Sequence, residues 1–134
     1  MKTKILYSNY STSTGVSTVT IQTKYGTFTG TAKIHPDDKD YSSSFFGCEL
    51  AELRAGIKSL KAKLKKINYQ LEAIEACYKI SSKIASPVTV SILDYKWNLE
   101  GLKEETKNQI SIIENTIKLK IKERDEWNSS KYQK

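Results

Sequence analysis

Of 22 basic side chains in this 134-residue chain, only Arg54 and Arg124 are arginine; the rest are lysine. A guanidinium is a planar fork that grips a phosphate with two parallel hydrogen bonds, which a lysine ammonium cannot do. Two arginines converging in a lysine-dominated chain would make a phosphate site. The competing reading is structural. Arg54 would pair with Glu49 or Glu52, and Arg124 with Glu123 or Asp125, as exposed helical ion pairs that are common and weak.

Aromatic rings beside such a site could stack a base, at about 1–3 kcal/mol per base. Phe45 stands at the start of the first predicted helix and Trp97 at the start of the second. Trp97 is about 40 Å from Arg124 along that helix. It could reach Arg124 only from another subunit, with the second helices antiparallel about a two-fold axis. Otherwise Trp97 is a packing residue.

Other chemistry finds little support. The chain has no glycine-rich phosphate loop, no zinc-ligand spacing and no nucleophile–base pair. The single histidine, His35, precedes Pro36 in a turn-forming segment. Glu104-Glu105 falls on a polar helix surface. Cys48 and Cys77 lie 29 residues apart in one predicted helix. That is about 44 Å, against about 7 Å for bridged Cα atoms, so both are expected as reduced packing residues that share no metal. The expectation is a protein that is not an enzyme and uses no metal or cofactor.

The elements that must position the arginines follow from periodicity. Residues 1–38 read as a small antiparallel sheet. Ile5–Tyr7 begin a strand, Ser11–Gly15 form a loop, and Val16–Gln22 are β-branched and roughly alternating. Lys24-Tyr25-Gly26 is a turn. Thr27–Ile34 alternate cleanly, with Phe28, Gly30, Ala32 and Ile34 on one face, as a half-buried sheet requires. His35-Pro36-Asp37-Asp38 ends the sheet, and Ser42–Ser44 offer helix caps.

A helix over 43–80 carries the strongest pattern. Phe46, Leu50, Leu53, Ile57, Leu60, Leu64, Ile67, Leu71, Ile74 and Tyr78 form an unbroken heptad seam. So long a helix must pack on a second helix, a second subunit or both. Ser81–Pro87 should break it, with Val88-Thr89-Val90 a short strand or extended link. A second helix over 92–130 carries Tyr95, Leu99, Leu102, Thr106, Ile110, Ile113, Ile117 and Ile121 at nearly straight-helix spacing. Three residues on, its stripe reaches Arg124, which there needs a partner or a ligand. The residues from Asn128 onward should fray.

Folded back as an antiparallel hairpin, Arg54 lies 26 residues before Ile80 and Arg124 lies 32 after Ile92. The offset is about 9 Å, so both fall near the open end, beside the sheet. Gly56 should leave room there for close backbone approach.

Composition agrees with an anionic partner. The net charge is +7, which favours nucleotides, nucleic acid or an acidic surface, although a merely solvated lysine surface gives the same count. Lys58, Lys61, Lys63, Lys65 and Lys66 scatter around a helix rather than lining one face. No run approaches the roughly 18 apolar residues of a membrane span, and the N-terminus lacks a signal-peptide core. A cytoplasmic protein without a membrane partner is expected.

Two segments stand out together: Tyr25-Gly26-Thr27-Phe28-Thr29-Gly30-Thr31-Ala32-Lys33-Ile34-His35-Pro36-Asp37-Asp38 and Gly47-Cys48-Glu49-Leu50-Ala51-Glu52-Leu53-Arg54-Ala55. With the helix ending Ile121-Lys122-Glu123-Arg124-Asp125, the chain resembles the first Thoeris anti-defence family of phage proteins from Tyr25 onward. Members are sponges that sequester glycocyclic ADP-ribose signals without cleaving them. They combine a small antiparallel sheet with two long helices and assemble as dimers and hexamers. The resemblance implies phosphate contacts from Arg54 and Arg124, base stacking by Trp97 and a polar contact near Asn108. Alignment is weakest over Ser81–Lys96.

The reading at this stage is an α+β protein, a single domain over 1–134, in which a small N-terminal antiparallel sheet packs on a long antiparallel two-helix hairpin and assembles as a homodimer or hexamer. Its ligand-binding residues would be Phe45, Arg54, Trp97, Asn108 and Arg124, and its ligand a cyclic ADP-ribose-type nucleotide. The alternatives are a lysine-rich nucleic-acid-binding protein or nuclease inhibitor, and a coiled-coil adaptor with no ligand.

Overall fold

A computed structural model of the chain describes residues 3–11, 15–33, 44–84 and 88–132. Among them the chain forms β1 (Lys4–Tyr10), β2 (Val16–Thr23), β3 (Gly26–Lys33), α1 (Ser44–Ile84) and α2 (Val88–Tyr132). This is the expected α+β order. The chain divides into two compact units. The first comprises Met1–Ser59 with Ser111–Lys134, and the second Leu60–Ile110.

In the first unit the strands form an antiparallel sheet in the order β1-β2-β3. The alternation in the sequence selects its faces. Ser17, Val19, Ile21 and Thr23 of β2 and Gly30 and Ala32 of β3 are buried, while Gln22, Thr29 and Thr31 are exposed. Thr23 pairs with Gly26 across a two-residue turn, Lys24-Tyr25. Gly26 sits at φ +135°, where a side chain would be strained. The Tyr25 N–H donates to Thr23 Oγ1 at 3.2 Å. On β1 the register slips between Ile5 and Tyr7, so Leu6 is an inserted bulge residue.

The buried sheet face meets α1. Val19, Ile21 and Ala32 form one core with Phe46, Leu50, Ala51, Ala55 and Ile117, flanked by Phe28, Cys48, Leu53, Ile57, Ile113 and Ile121. The contact is close because α1 turns small residues toward the strands. Gly47, Ala51, Ala55 and Ser59 recur every four residues and all are buried. At the tightest point a Cβ on Gly30 would lie 1.9 Å from the Ala51 carbonyl oxygen and 2.6 Å from the Ala55 nitrogen. The close approach expected at Gly56 is therefore found at Gly30; around Gly56 there is open space. Nearby, the hydroxyls of Thr23 and Ser59 share a buried hydrogen bond of 2.8 Å.

In the second unit, Ile67 and Leu71 of α1 bury with Leu99 of α2, with Ile74 alongside. Lys96 Nζ stands 3.5 Å from Glu75 Oε1. The heptad seam accounts for this contact: every seam position from Leu60 to Tyr78 is buried or half-buried. On α2 the stripe is less complete, since Tyr95 and Leu102 are exposed. Its threonine, Thr106, is fully buried and donates to the Leu102 carbonyl at 2.7 Å. A threonine can occupy an apolar stripe in this way because its donor is satisfied within its own helix.

The helix bounds depart from expectation. α1 runs on to Ile84 rather than ending at 80. Ser81 does not break it, because its Oγ donates back to the Tyr78 carbonyl at 3.3 Å. Val88-Thr89-Val90 are the first turn of α2 and not a strand. Three β-branched residues carry only a weak preference, and proline immediately before suits a helix start. α2 then continues to Tyr132 through the segment expected to fray. Ile34, the turn His35–Asp38 and the caps Ser42 and Ser43 lie outside the described residues. Among the described residues no helix is long and apolar enough to cross a membrane.

Candidate functional site

Both arginines belong to the first unit, on the elements that carry the sheet. Arg54 follows Leu53 on α1 and is half-buried. Its Nη1 donates to the Thr31 carbonyl of β3 at 2.7 Å. One helical turn on, Lys58 Nζ donates to the Thr29 carbonyl at 2.6 Å. The two cations are related by i, i+4 and so share a face of α1. The two carbonyls come from alternate residues and so project to one side of the strand. The helical and strand periods thus match, and α1 clips β3 through side chain and backbone. Neither acid expected beside Arg54 takes it in these bonds: Glu49 instead pairs with Lys120 of α2.

Arg124 lies one turn beyond Ile121, as the α2 stripe predicts. Its side chain is only 20 % exposed, and its Nη2 lies 3.3 Å from Asp125 Oδ1. Asp125 is one of the two neighbouring acids, with Glu123, that the sequence offers it. Each guanidinium is therefore held by protein contacts in the first unit. A guanidinium has five N–H donors, and the bond to Thr31 employs one of Arg54's.

The remaining candidates are placed differently. Phe45 falls in the first turn of α1, and its side chain lies outside those described. Trp97 and Asn108 belong to the second unit, on α2. Trp97 is 62 % exposed. Asn108 is also exposed.

Two grooves show what each unit offers. One in the second unit, of about 640 Å³, is lined by Asn68, Leu71, Glu72, Glu75, Glu100, Lys103 and Glu104. Four carboxylates against one ammonium make it unsuited to a phosphate. A smaller one of about 220 Å³ in the first unit lies beneath β1, lined by Ile5, Ser8, Val19, Cys48, Glu49 and Glu52. There Ser8 Oγ approaches Cys48 Sγ at 3.5 Å. Neither groove contains an arginine. Cys48 and Cys77 are free thiols. Among the described residues no group of His, Cys, Asp and Glu is placed to hold a metal ion.

Sequence reasoning missed the clip of Arg54 and Lys58 on β3. The i, i+4 spacing was legible, but the acceptors are backbone carbonyls, which have no signature in the sequence. The stripe Gly47, Ala51, Ala55, Ser59 was legible as small residues at four-residue steps, beside the more conspicuous heptad.

Comparison with known proteins adds no relative: no family model matches the chain, and no match is found among curated proteins or among solved structures.

Proposed function

We propose that this protein is a binding protein without catalytic chemistry that sequesters a cyclic ADP-ribose-type signalling nucleotide, acting in the host-cell cytoplasm as a phage anti-immune sponge against Thoeris defence. The observation that carries the reading is the pair Arg54 and Arg124: the chain's only two arginines belong to the sheet-bearing unit, both partly shielded from water. A partly desolvated guanidinium binds phosphate more strongly than an exposed one. The resemblance to the first Thoeris anti-defence family supplies the ligand class.

In this reading the pocket is composite. Arg54 and Arg124 contact the phosphates, while an exposed aromatic, Trp97, and Asn108 approach from another subunit of a homodimer or hexamer. Sequestration requires affinity only, and a closed cavity between subunits provides it.

Thermal unfolding with a panel of cyclic ADP-ribose isomers and cyclic dinucleotides tests the reading. A bound ligand raises Tm by linkage, and Arg124→Ala should abolish the rise. Binding should also survive added salt better than lysine-driven nucleic-acid binding, which falls steeply with ionic strength. No rise with any member of the panel would overturn the proposal.

A further inference from the structure

Lys58 carries a charge that the fold does not need. It and Arg54 lie one turn apart on α1 and give one hydrogen bond each to the β3 carbonyls of Thr29 and Thr31, at 2.6 and 2.7 Å. A carbonyl requires only an N–H, which a neutral donor supplies. Instead two like charges stand at i and i+4, a spacing that costs a helix stability. No carboxylate offsets them. Among the described residues the ion pairs take Lys96, Lys107, Lys120, Lys122 and Arg124, and none joins an acid to Arg54 or Lys58. Both have donors to spare: an ammonium has three N–H groups and a guanidinium five, and each uses one on β3.

We infer that Lys58 is a phosphate-binding residue which, with Arg54, makes the site selective for a diphosphate over isolated phosphates. The spacing carries the selectivity. Four residues of helix set the two Cα atoms about 6 Å apart. The two phosphorus atoms of a diphosphate share an oxygen, so their outer oxygens stand side by side and both cations can bond them at once. In a cyclic dinucleotide a whole nucleoside separates the phosphates, and the two cations meet one phosphate at a time. Attachment to β3 adds to this. Each side chain is already held at one N–H, so less rotamer freedom is lost when an anion arrives. The anion also relieves the repulsion between the two charges. The inference rests on the reading of Arg54 as a phosphate contact and gives that reading a preference: cyclic ADP-ribose isomers, which carry a diphosphate, over cyclic dinucleotides.

Calorimetric titration of the full chain with inorganic pyrophosphate and orthophosphate tests it. Pyrophosphate should bind about tenfold more tightly than orthophosphate. Lys58→Gln should weaken pyrophosphate binding about tenfold, and Lys58→Arg should restore it. Lys118→Gln makes the same change of charge at an exposed position of α2 and should alter the affinity less than about twofold. Equal affinities for the two probes, equal effects of the two glutamine variants, or an arginine variant no better than the glutamine one would each overturn the inference. Cyclic ADP-ribose separates this result from the sponge reading. If it raises the Tm of the wild type and of Lys58→Gln equally, the sponge stands and the role of Lys58 falls. If it raises neither while pyrophosphate behaves as expected, the diphosphate site stands and the sponge falls.

Discussion

The two edges of the one sheet differ in what α1 sets against them. On one flank of its small-residue stripe, α1 carries Arg54 and Lys58, whose long side chains extend to β3 carbonyls. On the other flank Cys48, Glu49 and Glu52 line a groove under β1. Carboxylates are acceptors only and cannot bond the carbonyls of a strand edge. The same helix thus closes β3 with donors and leaves β1 without them. An edge strand is finished by the chemistry of whatever lies across it, and here the sign of charge on the two helix flanks makes the difference.

The comparison breaks most severely if α1 is lifted off the sheet. Gly30→Val places two methyl groups where even a Cβ would collide with the Ala51 and Ala55 backbone. The expected cost is about 3 kcal/mol or more, a fall in Tm of about 10 °C by calorimetry. Lys58 and Arg54 would lose their β3 acceptors in the same step. An unchanged Tm would mean that helix and strand are not in contact there.

Next comes the hydrogen bond between Thr23 and Ser59. Thr23→Val leaves the buried Ser59 hydroxyl without this partner, at a cost of about 1–3 kcal/mol. The double variant Thr23→Val/Ser59→Ala should recover much of that loss in urea denaturation. Strict additivity of the two changes would count against a direct bond.

A smaller stability effect, but a sharper test of the two edges, is expected from Arg54→Ala/Lys58→Ala. Removing the cap should cost about 1 kcal/mol and open β3. With the β3 carbonyls uncapped, light scattering should show self-association beyond that of the wild type, growing with concentration. If the double variant assembles as the wild type does, the cations are not what guards β3. The smallest effect belongs to Glu49→Gln, which removes the ion pair with Lys120 at a half-exposed site. Chemical denaturation should register less than about 1 kcal/mol.

Much of this was legible locally. Alternation over Val16–Gln22 and Thr27–Lys33 assigned the buried sheet faces, because a strand's period of two is a property of its own residues. The heptad from Phe46 to Tyr78 marked α1 for the same reason, and the α2 stripe put Arg124 on a partly buried face beside Asp125. Local pattern failed where a pairing partner decided the outcome. Val88–Val90 joined α2 although β-branched, and Ser81 stayed inside α1 by bonding to a helix carbonyl.

The sequence by itself thus determined the element types, their order and the apolar faces, since each is written in spacing along a few turns or pleats. The tertiary structure alone decided that the tight contact falls at Gly30 and not Gly56, and that Arg54 holds the Thr31 carbonyl rather than an acid on its own helix. It also decided that Arg54 and Lys58 bond the carbonyls of the β3 edge while Glu49 and Glu52 line a groove under β1. These outcomes depend on which backbone atoms meet across 20 or more residues of sequence, and every residue type except proline offers the same carbonyl and amide.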